Sequence, residues 1–140
     1  PAIEAFLPGG WLRTRDVARF DDEGYLTLVD RTSDMIVTGG YNVYPREVED
    51  ALAGHPGIAQ VAVVGLPDDV WGEAVTAFVV AHEGAEPAEA ELIAFARGRL
   101  AHYKTPKSVR FVSGIPLSPV GKPLRRALRE PFWQDRERRI

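Results

Sequence analysis

The stretch IAQVAVVGLPDDVWGEAVTAFVVA, residues 58–81, decides the architecture. Ile58–Leu66 and Ala74–Ala81 read as two strands. The second is almost wholly apolar, as in a strand covered on both faces. Between them PDDVWGE is a loop carrying an unusually placed tryptophan, Trp71. On the N-terminal side, REVEDALAG puts Val48, Ala51 and Leu52 at the i, i+3, i+4 spacing of one buried helix face. Pro45 fits that helix's first turn, where its missing N–H is no loss, and Gly54 and Pro56 end it. On the C-terminal side, residues 88–101 form a helix burying Leu92, Phe95, Ala96 and Leu100. Residues 108–112 are a short strand and residues 123–133 a terminal helix. Met35–Thr38 is another short strand, broken by Gly39-Gly40, where the backbone takes shapes closed to other residues. Val17–Phe20 and Tyr25–Val29 pair as a hairpin whose turn, residues 21–24, ends on Gly24. Strands and helices interleaved around a small sheet give an α+β fold: a small mixed sheet with flanking helices plus an N-terminal hairpin.

A chain of 140 residues fits one domain. The absence of cysteine excludes disulfides, thiolate zinc sites and thiol nucleophiles. His55, His82 and His102 are isolated and offer no metal-ligand spacing. No apolar run approaches the ~20 residues of a membrane span, and no signal peptide is visible, so a cytoplasmic location is expected. The net charge of −3 hides a split. Residues 1–96 hold 5 arginines against 17 acids, giving −12, whereas residues 97–140 hold 12 Lys and Arg against 3 acids, giving +9. A basic end of this kind suits an anionic partner, either nucleic acid or a phosphorylated small molecule. The alternative is two halves that neutralise each other. Pro1 is not an initiator methionine, and the chain reads like the end of something longer.

Taken singly, the polar residues are weak signals. No Ser-His-Asp set, metal cluster or phosphate-cradling Gly-x-x-x-x-Gly-Lys loop is present. Asp16 is most simply a turn former, Arg31 a surface arginine, Gly39-Gly40 a bend and Trp71 a core anchor. Lys122, in SPVGKPLRR, is most simply a solvated turn residue.

Their joint order carries more. GWLRTRDVARFDDEGYLTLVDRTSDMIVTGGYNVYPREVEDAL, followed by HYKTPKSVRFV and SPVGKPLRR, resembles the C-terminal end of AMP-forming acyl-CoA synthetases, members of the adenylate-forming superfamily. The resemblance spans about Gly10 to Arg129. It implies a ligase that joins a carboxylate, fatty or aryl, to the α-phosphate of ATP and then transfers the acyl group to the thiol of coenzyme A. It implies that Lys122 is the adenylation lysine, a compact cation between two anions. Asp16 then matches the aspartate that receives the ATP ribose hydroxyls, and Arg31 the arginine near ribose and phosphates. Gly39 and Gly40 match the pair that lets the backbone approach the pantetheine arm. Trp71, Tyr103 and Lys107 match positions contacting the nucleotide of coenzyme A, with Lys107 at its 3′-phosphate.

The same resemblance puts a hinge at Ser33. Residues 1–32 become the tail of a large N-terminal AMP-binding domain, and residues 33–140 a mobile lid that rotates between the half-reactions. That missing N-terminal domain and a small carboxylic acid are the implied partners. Mg2+ would accompany ATP without being bound by this chain, which alone would catalyse neither step. Two departures stand out: Arg15 replaces the glycine usual before the aspartate, and Ser33 the usual aspartate or lysine. A carrier-protein-loading enzyme and a stand-alone binding module for coenzyme A or a protein are the alternatives. Nucleic acid fits least, since the basic end lacks interleaved exposed aromatics apart from Tyr103, Phe132 and Trp133.

Overall fold

The structure is a computed structural model that describes residues 5–134 and 136; residues 1–4, 135 and 137–140, the outer margins of the two expected segments, lie outside the description. The main body is a five-stranded sheet. Its strands are β5 (Ile36–Thr38), β6 (Tyr41–Val43), β7 (Ile58–Asp68), β8 (Gly72–Ala81) and β9 (Ser108–Phe111). β8 is central. β7 pairs antiparallel along its whole length, β5 meets it at Thr38–Gly72, and β9 runs parallel to residues 76–79. The sheet is therefore mixed, as read from the sequence.

Both faces are covered. On one, α1 (Pro45–Ala53) and α2 (Glu89–Arg97) bury Val48, Leu52, Leu92 and Ala96 against Ile36, Val63, Val75, Ala77 and Val79. On the other, α3 (Arg125–Arg129) brings Leu128 onto Val64, Leu66 and Phe78. Trp133 locks the following turn down by donating its indole N–H to the Gly65 carbonyl at 2.9 Å. The apolar run 74–81 thus has the two-sided cover its composition demands.

Two smaller sheets precede the body: β1 (Phe6–Leu7) with β2 (Trp11–Leu12), and β3 (Asp16–Phe20) with β4 (Leu26–Arg31). Gly24 closes the second hairpin with φ of +88°. Phe20, Tyr25, Leu26 and Leu28 are exposed on it.

Four expectations need correction. Gly39-Gly40 is not a mere break: Thr38 pairs with Tyr41, so the glycines are the two-residue loop of a β5–β6 hairpin. Both have positive φ, +56° and +83°, as the tight primed turn requires. The loop 67–73 shrinks because β7 continues through Pro67-Asp68, and Asp68 Oδ1 accepts the Val70 and Trp71 N–H groups. The second helix stops at Arg97, capped by Gly98, so Leu100 packs on the core from beyond it. The terminal helix is five residues long and continues as a 3-10 turn, Glu130–Phe132.

Candidate functional site

The sequence-selected residues fall into three groups. Asp16 and Arg31 face each other across the β3–β4 hairpin, with Arg31 Nε 3.9 Å from Asp16 Oδ1. Arg15, beside them, has φ of +63°, the one positive φ on a non-glycine residue among those described. A side chain there costs roughly 1–2 kcal/mol. The strained residue is held in place because Thr32 donates its N–H and its hydroxyl to the Arg15 carbonyl, at 2.9 and 3.0 Å. The side chain of Arg15 is exposed.

The second group gathers at the β8 start. The Gly39 N–H donates to the Trp71 carbonyl at 2.9 Å. The indole lies so close that a Cβ on Gly39 would sit 2.8 Å from Trp71 Cε3, closer than carbon atoms pack. The Lys107 ammonium is 4.1 Å from the centre of the Trp71 ring, a cation–π contact. Lys107 is delivered there by its own N–H, which donates to Val75 O at 2.8 Å. Tyr41, directly after Gly40, stacks on Tyr103 at 4.7 Å. Lys104 bonds both Glu47 oxygens, at 2.8 and 3.0 Å, and the hydrogen bond to Glu47 raises its pKa above the ordinary 10.5 against opposing burial. Gly39, Trp71 and Lys107 are therefore one surface, with Gly40 leading into the Tyr41–Tyr103 pair. Tyr41 escaped the sequence reading; its signal was its place beside the glycines.

Lys122 forms the third group. Its carbonyl accepts the Ser118 N–H at 2.8 Å, its N–H donates to Ser118 Oγ at 3.1 Å, and Gly121 turns the chain with φ of +81°. The side chain is exposed, and among the described residues its ammonium has no ion pair. The turn lies beside the start of β7: a shallow depression is lined by Gln60, Val61, Ile115, Leu117, Gly121 and Pro123. The glycine-pair surface lies at the other end, where Asp68 pairs with Gly72. Gln60 and Asp68 are eight residues apart, so the two surfaces are separated by about 25 Å along the strand. The structure does not bring Lys122 to Gly39.

A fourth group gathers around the expected hinge residue Ser33, and its charged members were not read from the sequence. Arg125, whose side chain is 14% exposed, binds Glu49 through both Nε and Nη2. Its Nη1 lies 3.1 Å from Asp34 and 3.5 Å from Asp30. Arg129 adds a 2.9 Å bond to Asp34 and donates to the Ser33 carbonyl at 3.4 Å. Burial lowers the pKa of Arg125, but its bonds and charge contacts to Glu49, Asp30 and Asp34 outweigh burial and leave it raised. The only sequence trace was the i, i+4 spacing of 125 and 129 on a short helix.

Among the described residues no group of three His, Cys, Asp or Glu could hold a metal ion, and no helix is long and apolar enough to cross a membrane.

This mixed sheet, with helices on both faces and a lysine turn and a double-glycine turn at opposite ends, is the C-terminal domain architecture of adenylate-forming enzymes. The chain belongs to the AMP-binding enzyme C-terminal domain family, whose pattern matches residues 47–122. It is 50% identical over 138 residues to the medium/long-chain-fatty-acid–CoA ligase FadD8 of Mycobacterium tuberculosis, covering 94% of this chain and 24% of that protein. It is 46% identical over 134 residues to the fatty acid–[acyl-carrier-protein] ligase ScoC of Streptomyces coeruleorubidus, covering 96% and 26%. ATP-bound MatB from Rhodopseudomonas palustris superposes with a TM-score of 0.84 at 38% identity, covering 93% of this chain and 26% of that one. The chain spans about a quarter of the length of these relatives.

Proposed function

We propose that this chain is the mobile C-terminal part of an acid–CoA ligase that forms an acyl-adenylate from ATP and then a thioester with coenzyme A. Residues 1–32 belong to the end of the large AMP-binding domain, Ser33 is the pivot, and residues 33–140 are the lid. One observation carries the reading: the free lysine turn and the glycine-pair surface sit at opposite ends of β7. One active centre cannot use both at once, so the lid has to turn between steps.

In the first step a carboxylate approaches the α-phosphate, and both are anions. The Lys122 ammonium, exposed and on a flexible stem, neutralises the charge between them, a contribution of about 2.7–4 kcal/mol for one well-placed donor. Asp16 receives the ribose hydroxyls and Arg31, its cross-strand neighbour, stays near the phosphates. In the second step the pantetheine arm passes Gly39-Gly40, open at Gly40, where a Cβ would meet nothing within 4 Å, and bordered at Gly39 by the Trp71 ring. Trp71, Tyr103 and Lys107 meet the nucleotide end of coenzyme A, Lys107 as the phosphate partner.

Lys122→Ala in the polypeptide that carries this sequence should abolish acyl-adenylate formation yet leave thioester formation from supplied acyl-adenylate within a few fold. Equal loss in both half-reactions would remove the division of labour. A second reading, an enzyme that loads a carrier protein, is supported by the likeness to ScoC. Thioester formation with a holo carrier protein and not with free coenzyme A would select it.

A further inference from the structure

The β3–β4 hairpin shares no backbone ladder with the five-stranded sheet. Among the described residues, the polar ties between them converge on one carboxylate. Asp30, whose side chain is 4% exposed, accepts the Arg46 N–H at 3.0 Å on one oxygen and faces Arg125 Nη1 at 3.5 Å with the other. Arg46 lies in the first turn of α1 and Arg125 opens α3, so both ties reach the body on the far side of the short turn Thr32–Asp34.

The partners are unequal. A guanidinium carries five donors, and Arg125 spreads them over three carboxylates. Glu49 holds it in a fork and Asp34 at 3.1 Å; Asp30 is the longest contact. If Asp30 leaves, Arg125 keeps two carboxylates and Asp30 passes into water, so neither charge is stranded in the interior. The contact can therefore open without unfolding the body. Arg125 also stands three residues beyond Lys122, and between them the Leu124 N–H bonds the Pro116 carbonyl at 2.9 Å, fixing the base of the lysine turn.

We propose that Asp30 and Arg125 form a releasable latch that sets the orientation of the hairpin bearing Asp16 and Arg31 relative to the body bearing the Lys122 turn. Both are positioning residues, acting on the hairpin and not on a substrate. The latch's bearing on catalysis rests on the function proposed above. The latch itself does not, because the test needs no ATP, acid or coenzyme A, and failure of either idea leaves the other standing.

The chain has no cysteine, so Thr27→Cys on the hairpin and Ala94→Cys on α2, both exposed, give a unique pair for spin labels. Pulsed dipolar spectroscopy on the parent chain should show one narrow separation. Asp30→Asn removes the charge and keeps one carbonyl oxygen for the Arg46 N–H, giving up the second, which accepts the Arg31 N–H within the hairpin; it should add a second, well-resolved separation while circular dichroism stays unchanged. Arg125→Lys keeps the charge without the fork and should broaden the distribution less than Arg125→Gln. A distribution unchanged in Asp30→Asn overturns the latch, even if the unfolding midpoint falls, since that is the behaviour of a mere brace. A parent already spread over two separations overturns it too. So does an Asp30→Asn chain that fails to fold, because the body should not need Asp30. If Arg125→Gln alone fails to fold, Asp30→Asn decides.

Discussion

Gly39 and Gly40 share a positive φ but not an environment, and the difference separates conformational from steric cost. A Cβ on Gly40 meets nothing within 4 Å, whereas one on Gly39 strikes the Trp71 ring. Gly40→Ala should therefore cost only the left-handed penalty, about 1–2 kcal/mol. Gly39→Ala should cost more and push the indole off its seat and away from Lys107. Urea unfolding gives the energies, and Trp71 emission in a background with Trp11 and Trp133 replaced by Phe reports the displacement. Equal costs with unchanged emission would show that the ring yields freely. A second residue-scale prediction concerns Lys104. Its folded pKa lies above 10.5, so the stability it adds is fully present below pH 10.5 and is lost as pH rises through the folded value. Stability measured from pH 9 upward should decline less steeply in Lys104→Met than in the parent; identical slopes would assign the decline elsewhere.

At the scale of elements, the long runs were legible and the short ones were not. β7, β8 and α1 announce themselves by apolar periodicity over eight or more residues. β6 has three residues, Tyr-Asn-Val, exposed at two of them, and no periodicity can show in so short a run. It exists because the glycine pair folds the chain back, a signal carried by the turn and not by the strand. The terminal helix was overextended because LRRALREPFW looks helical throughout. Pro131 instead sits in the first turn of a new 3-10 segment, and Trp133 is drawn down onto Gly65. What orients α3 is Glu49, a carboxylate on the inner side of α1 that also accepts the Val63 N–H at 2.8 Å. Glu49→Ala would strand that backbone donor and strip Arg125 of its two-bond fork, leaving it the single-nitrogen contacts to Asp34 and Asp30. Breaking a buried pair from one side costs about 3–5 kcal/mol, and the loss should appear in the denaturation free energy. Exchanging Glu49 and Arg125 together for apolar residues of similar volume should recover part of it. A loss below 1 kcal/mol in Glu49→Ala would mean that water replaces the carboxylate and the cluster is not closed.

For the whole molecule, the charge split in the sequence left two explanations, an anionic ligand or mutual neutralisation, and the fold shows mutual neutralisation for one part of the basic end. Lys104, Arg125, Arg129 and Arg136 each pair with an acid from the first 96 residues. Lys107 rests on an aromatic ring and Lys122 stands in water, neither with an ion pair among the described residues. These two are the lysines the motif order singled out, and their distance from each other was invisible because sequence order does not say at which end of a strand a loop emerges. The division has a consequence for salt. The exposed pairs, Arg31–Asp16, Arg126–Glu130 and Arg136–Asp69, contribute about 0–1 kcal/mol each and are screened. The Arg125 cluster is shielded from solvent, and added ions reach it little. Raising sodium chloride from 0.05 to 1 M should thus lower the unfolding free energy by no more than about 3 kcal/mol, the sum over three such pairs. Asp30→Asn and Arg136→Gln should differ in the response: the first keeps the parent's salt slope, the second flattens it. A collapse of stability at high salt would mean that the acidic and basic parts hold the fold together by long-range attraction, and Lys107 and Lys122 would then lose their distinction from the other cations.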